Sequence, residues 1–163
     1  MANRSLQLTL NGQPVGPVEV PDDLSMNDYL HEHQNLTGSR LGCGQGICHA
    51  CVVIVDNPDG TSEEVRTIEG HAKQDEAGNM TLNPIQQKFV DLFAFQCSYC
   101  APGFVNAATV LVEKAQRQPL KKSEVEDSIE ASLGHHICRC TGYVRYYDAT
   151  RTVLNDLGLV KEG

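Results

Sequence analysis

The sequence predicts an α+β protein made of two unlike halves, a β-rich one followed by a bundle of helices. Three observations carry this. Apolar and polar residues alternate with period two near the start of the chain. The apolar spacing becomes helical from about residue 83 onward. Seven cysteines fall into two separate constellations, one in each half.

The elements follow in order. SLQLTLNGQPVGPVEV, residues 5–20, reads as a hairpin turning at Asn11-Gly12, a pair suited to a two-residue turn. SMNDYLHEH reads as a short helix with Ser25 as its N-cap. A glycine- and cysteine-rich loop runs from Gly42 to Cys51. CVVIV reads as a strand, DNPDG as a turn and SEEVRT as the return strand. Two hairpins, a short helix and a metal loop outline a ferredoxin-like β-grasp arrangement over residues 1–78. The polar stretch GHAKQDEAGNMTLNP, punctuated by Gly, Asn and Pro, joins the halves.

Residues 79–163 read as four helices, enough for a small bundle. NPIQQKFVDLFAFQ places Ile85, Phe89, Leu92 and Phe93 at helical spacing, with Pro84 at the start. Pro102 opens APGFVNAATVLVEKA. SEVEDSIEASLG has Ser123 and Glu126 at capping-box spacing and Gly134 as a stop. YVRYYDATRTVLNDLG ends at Gly158.

Bulk properties exclude several functions. The formal net charge of −8, from 21 acids against 13 bases, argues against a nucleic-acid partner, whose phosphates need clustered Lys and Arg. Lys121-Lys122 reads as a solvated helix approach. No apolar run reaches a membrane span, since the best, Phe104 to Val112, contains Asn106 and Thr109. The N-terminal residues lack a signal-peptide core, so the expected compartment is the reducing cytoplasm, where grouped cysteines are metal ligands rather than disulfides. Export alongside a signal-bearing partner, giving a periplasmic or membrane-associated complex, is the alternative.

Cys43, Cys48 and Cys51 are spaced C-x4-C-x2-C, the opening of the plant-type [2Fe–2S] ligand pattern, which needs a fourth cysteine. Gly42, Gly44 and Gly46 let the backbone wrap tightly and bring N–H groups to sulfur. The loop lacks the G-K-[ST] ending of a phosphate loop. Cys97-x2-Cys100 and Cys138-x-Cys140 each lie between helices, so the two pairs can face each other and close one four-thiolate site. Iron–sulfur clusters and zinc both accept such a set. His49, His135 and His136 lack the C-x-H pairs of a Rieske centre and read as loop residues beside the sites, while His31, His33 and His71 read as surface positions. Glu63-Glu64 and Glu124/Glu126 read as turn and cap features, and no nucleophile–base set is evident.

GCGQGICHACVV, FQCSYCAPGF and CRCTGY, in this order and with TIEG between the halves, resemble the small iron–sulfur subunit of the molybdenum hydroxylases, the xanthine oxidase family. The resemblance covers nearly the whole chain. It implies a plant-ferredoxin-like domain and a four-helix domain, each with one [2Fe–2S] cluster. It implies that Cys97, Cys100, Cys138 and Cys140 hold the cluster nearest the molybdopterin of a large partner subunit, with Gln96 and Cys140 approaching the pterin. Substrate chemistry then belongs to the partner, and this chain carries electrons one at a time to a cytochrome c or a flavin subunit. The implied substrate is an aldehyde, with isoquinoline-type N-heteroaromatics as the alternative. A stand-alone ferredoxin-like carrier and a zinc-stapled module are the rival readings.

The family's fourth N-terminal cysteine is missing, because none lies between Cys51 and Cys97. Either a segment is missing after Thr67, or Asp56, Ser62 or an exogenous group takes its place. The first reading is favoured, since the other three ligands and their glycines are intact.

Overall fold

A computed structural model describes residues 2–56 and 64–162. Ser62 and most of the expected DNPDG turn lie outside the described residues.

Strands β1 (Asn3–Leu10) and β2 (Gln13–Pro21) pair antiparallel. Asn11 and Gly12 both take positive φ, 50° and 78°, as the two-residue turn requires. Helix α1 (Met26–Asp28) is one turn, capped by Ser25 Oγ accepting the Asp28 N–H, and continues as a π-helical turn over Tyr29–His33. Strand β3 (Ile54–Asp56) is shorter than CVVIV, because Cys51 to Val53 stay in the cysteine loop. It pairs antiparallel with β4 (Glu64–Arg66), as the return-strand reading requires. Strand β4 also runs parallel to β1, giving the sheet order β2-β1-β4-β3. This sheet grips Leu30 through Leu8, Leu10 and Val65, the β-grasp arrangement, with a small core of its own.

After Thr67 the chain enters a 3-10 turn, Ile68–His71, with no spare residue. The junction is closed. Thr67 is fully buried and its N–H donates to Asn11 Oδ1 at 2.8 Å, while Asn11 Nδ2 donates to Thr67 Oγ1. The joining stretch folds into a hairpin, β5 (Lys73–Gln74) and β6 (Met80–Thr81), turned around the Asp75 carboxylate. The 78/79 division falls in that turn.

The second half holds four helices around one core: α2 (Pro84–Asp91), α3 (Ala101–Arg117), α4 (Val125–Leu133) and α5 (Val144–Asp156). Three local expectations need correction. Helix α2 ends at Asp91 with Leu92 as its C-cap, and Phe93 turns to φ 51° and lies 67% exposed instead of joining the apolar face. Ser123 does not cap α4. It sits in a 3-10 turn where Glu124 accepts the Lys121 N–H, and Glu126 instead pairs with Arg151. His71 is buried, because its ring nitrogen meets Asn106 Oδ1 at 2.7 Å inside the seam between the halves. A parallel pair of short strands, β7 (Leu120–Lys121) and β8 (Val160–Lys161), ties the C-terminal end to the bundle.

Candidate iron–sulfur centres

The two cysteine pairs of the helical half meet. The reversal at Phe93 carries the chain off α2 into Gln96 and Cys97, and Ser98 at φ 64° turns Cys100 inward at the start of α3. From the other side, the α4–α5 connection delivers Cys138 and Cys140. Cys97 and Cys140 are exposed with sulfurs 3.5 Å apart, while Cys100 and Cys138 are buried. Two thiolates on one tetrahedral metal stand about 3.8 Å apart when metal–sulfur bonds are about 2.3 Å. One outer pair and one inner pair suit a cluster with two irons, each needing two protein thiolates. Among the described residues no three His, Cys, Asp or Glu side chains converge on one point as a mononuclear site would need.

Neighbours tune these sulfurs unequally. Burial pushes the Cys100 thiol up to about 11, although Tyr146 Oη lies 3.4 Å away. Burial acts on Cys138 too, but hydrogen bonds from the Thr141 hydroxyl (3.1 Å) and N–H (3.4 Å) prevail and bring it down to about 7. The Cys97 thiol raises Cys140. Tyr143 Oη accepts the Cys138 N–H, and Tyr146 stacks on Phe104 at 4.0 Å, which fixes the inner wall. Gln96 is exposed beside the outer pair and lines a cleft of about 220 Å³ with Phe93, Phe95, Thr141 and Arg145.

The N-terminal loop is organised around one sulfur. Cys43 Sγ accepts the backbone N–H groups of Gln45 (3.3 Å), Ile47 (3.4 Å) and Cys48 (3.4 Å). With the Cys48 N–H foremost, these bring Cys43 down to about 6. The three glycines act differently. Gly44 and Gly46 take positive φ, whereas a Cβ on Gly42 would stand 2.8 Å from Cys48 Sγ. Loop carbonyls point the other way, into the helical half. The Cys48 carbonyl accepts the Ile137 N–H at 3.1 Å, the Val52 carbonyl accepts Asn106 Nδ2 at 2.7 Å, and the His49 carbonyl packs on Gly103. The His49 ring lies 5.1 Å from the buried His136 ring, which burial brings down to about 4. Sequence reasoning missed Thr141 and Tyr146 as sulfur neighbours, Tyr143 as the acceptor of the Cys138 N–H, and Asn106 as the strut. Thr141 and Tyr143 stand inside the CRCTGY motif, the one signal that pointed to them.

The helical donor set fits a [2Fe–2S] cluster. The N-terminal set is short of it by one thiolate. Asp56 does not make up the difference, because both its oxygens bind Arg66, which also grips Glu113.

Each half thus belongs to the class of [2Fe–2S] electron-transfer domains. Residues 8–82 match the family described as "2Fe-2S iron-sulfur cluster binding domain", and residues 67–151 match "[2Fe-2S] binding domain". The chain is 34% identical over 149 positions to the xanthine dehydrogenase iron–sulfur-binding subunit of Escherichia coli O157:H7, covering 85% of this chain and 87% of that one. It is 31% identical over 144 positions to the nicotine 6-hydroxylase small subunit of Paenarthrobacter nicotinovorans, covering 82% and 80%. Both alignments hold more positions than the covered share of this chain has residues, so each relative carries residues that this chain lacks. The solved aldehyde oxidoreductase of Desulfovibrio desulfuricans ATCC 27774 superposes with a TM-score of 0.76 at 30% identity, over 97% of this chain and 17% of that one. The chain belongs to the iron–sulfur subunits of the molybdenum hydroxylase, or xanthine oxidase, family. It is an electron-transfer subunit whose substrate chemistry lies in a partner. Among the described residues no helix is long and apolar enough to cross a membrane.

Proposed function

We propose that Cys97, Cys100, Cys138 and Cys140 hold the cluster facing the molybdopterin subunit, and that the complex oxidises an aldehyde. When bound, a [2Fe–2S] cluster takes up and releases one electron at a time. The observation that carries the assignment is the half-open helical site. Its outer thiols, Cys97 and Cys140, and Gln96 lie on an exposed face flanked by Phe93 (67% exposed) and Val144 (65%). Large exposed apolar side chains grouped beside a redox site fit burial against a subunit better than a free-standing carrier. Gln96 and Cys140, both exposed on this face, would approach the pterin. Cys43, Cys48 and Cys51, wrapped by Gly42, Gly44 and Gly46, then form the outer site, towards a cytochrome c or a flavin subunit.

Cysteines grouped as metal ligands rather than disulfides are the motif expected in a reducing compartment, the cytoplasm. The division at 78/79 assigns one redox site to each domain. An N-heteroaromatic substrate is the second reading, favoured by the nicotine 6-hydroxylase relative. Turnover of an aliphatic aldehyde and of isoquinoline by the purified complex separates the two. Aldehyde turnover is expected, isoquinoline turnover alone reverses the assignment, and activity on neither removes both.

A further inference from the structure

We propose that Thr141 is a potential-setting residue of the helical redox centre: its hydroxyl donates to Cys138 Sγ and makes the cluster easier to reduce. The inference rests on the assignment of Cys97, Cys100, Cys138 and Cys140 as cluster ligands and carries it further.

The backbone after Cys138 is sharply bent. Gly142 and Tyr143 both take positive φ, 67° and 70°. Tyr143 has ψ −30°, and the Val144 N–H donates to the Gly142 carbonyl at 2.9 Å. Tyr143 is therefore the centre of a γ-turn of the rare, strained hand, which a bulky side chain seldom adopts. Such strain persists only where the surrounding contacts hold it. Here they do so at both ends of the residue. The Tyr143 backbone N–H donates to Thr141 Oγ1 at 3.1 Å, and the Tyr143 hydroxyl accepts the Cys138 N–H at 3.1 Å.

Those contacts decide which way the Thr141 hydroxyl points. Its Oγ1 lies 3.1 Å from Cys138 Sγ. A ligating cysteine is a thiolate with no proton to give, so at this contact the hydroxyl donates. The Tyr143 N–H occupies a lone pair of the same oxygen, which polarises the O–H towards sulfur and holds its rotor. The Thr141 N–H adds a longer bond to that sulfur at 3.4 Å. Cys138 is buried and Thr141 half-buried, so little water competes. An added electron makes the ligand sulfurs more negative, and a donor aimed at one of them binds the reduced form more strongly. Tyr146 Oη stands 3.4 Å from the other buried sulfur, Cys100, so the shorter Thr141 contact carries the larger effect.

The test is an EPR-monitored redox titration of the purified complex, with the helical signal identified as the one that Cys138→Ser alters. Thr141→Val keeps the branched shape and removes the hydroxyl. It should shift the reduction equilibrium about tenfold towards the oxidised form, equivalent to about 59 mV for one electron. Thr141→Ser keeps the donor and should stay close to the native potential. Thr141→Ala serves where valine prevents assembly, and should shift the potential in the same direction as valine. A native potential in the valine and alanine variants would overturn the proposal. So would a serine variant that shifts as far as valine, because packing of the lost methyl group would then be the cause. A cluster that builds with serine but with neither valine nor alanine would overturn it too, since the hydroxyl would then be structural. Absence of a helical signal from the native complex would instead remove the underlying ligand assignment, and the proposal with it.

Discussion

At the scale of single residues, the four helical cysteines are not equivalent. Cys97 and Cys140 face outward, whereas Cys100 and Cys138 sit on a wall made by Tyr146, Thr141 and Phe104. On the proposed path, losing Cys97 acts where electrons would enter. Cys97→Ser should cut turnover with the natural acceptor at least tenfold, and unchanged turnover would contradict the proposed electron path. Tyr146 acts more gently. Its hydroxyl is 3.4 Å from Cys100 Sγ, and burial pushes its own ionisation well above the usual phenol range, so it stays a neutral donor at working pH. Hydrogen bonds to sulfur raise a cluster's potential by stabilising the reduced, more negative form. Tyr146→Phe should lower the potential of the helical cluster by the equivalent of roughly 1 kcal/mol, read by EPR-monitored redox titration. The stacked Phe104 contact remains open to the substituted ring, so the bundle should keep its stability.

At the scale of elements, α3 is the part that joins the two sites. It begins at the helical cysteines and, within its first two turns, presents Gly103 and Asn106 to the N-terminal loop. A Cβ at position 103 would fall on the His49 carbonyl oxygen and close to Cδ2 of the buried His136 (3.3 Å). Gly103→Ala should destabilise the protein by about 1–3 kcal/mol. It should speed amide exchange at Gln45, Ile47 and Cys48, whose N–H groups bind Cys43 Sγ, while leaving the EPR signal of the helical cluster in place, and unchanged exchange would mean the loop is not seated on α3. This element also marks how far sequence reasoning reached. Its start at Pro102 and its apolar face were legible from local rules, as were the Asn11-Gly12 turn and the Gly158 stop. Residues whose roles depend on a partner distant in sequence were not. His71 looks like a surface histidine in its own stretch, and only Asn106, 35 residues on, makes it a buried one. Phe93 fits the helical period of α2, but the chain must leave the helix there to place Cys97 opposite Cys140.

At the scale of the whole molecule, two separate cores are locked along one seam. Arg66 on β4 grips Asp56 on β3 and Glu113 on α3, both through paired hydrogen bonds. Beneath it, Asn106 Nδ2 donates to the Val52 carbonyl, which leaves Asn106 Oδ1 as the acceptor and makes His71 Nε2 the donor. That assignment has a thermodynamic consequence. Burial, foremost, holds His71 below its ordinary 6.5, against the opposing pull of the Asn106 bond, and the nearby Arg66 charge pushes the same way as burial. Above pH 6.5 the imidazole is neutral in both folded and unfolded chains, and the seam has its full stability. Below that value the unfolded chain binds a proton that the folded chain refuses, so stability falls as pH drops from 6.5 towards the lower folded value. Carboxylates and clusters add their own acid sensitivity, so the informative quantity is the difference from a variant without the titration. Glutamine keeps an amide donor for Asn106 Oδ1 and carries no proton to gain. His71→Gln should therefore cost stability at pH 8, where the native ring packs best, yet lose less of it on acidification. The two melting-temperature curves should converge as the pH falls below about 6.5. Parallel curves over that interval would mean that His71 titrates alike in the folded and unfolded chains, and that the seam does not exclude its proton.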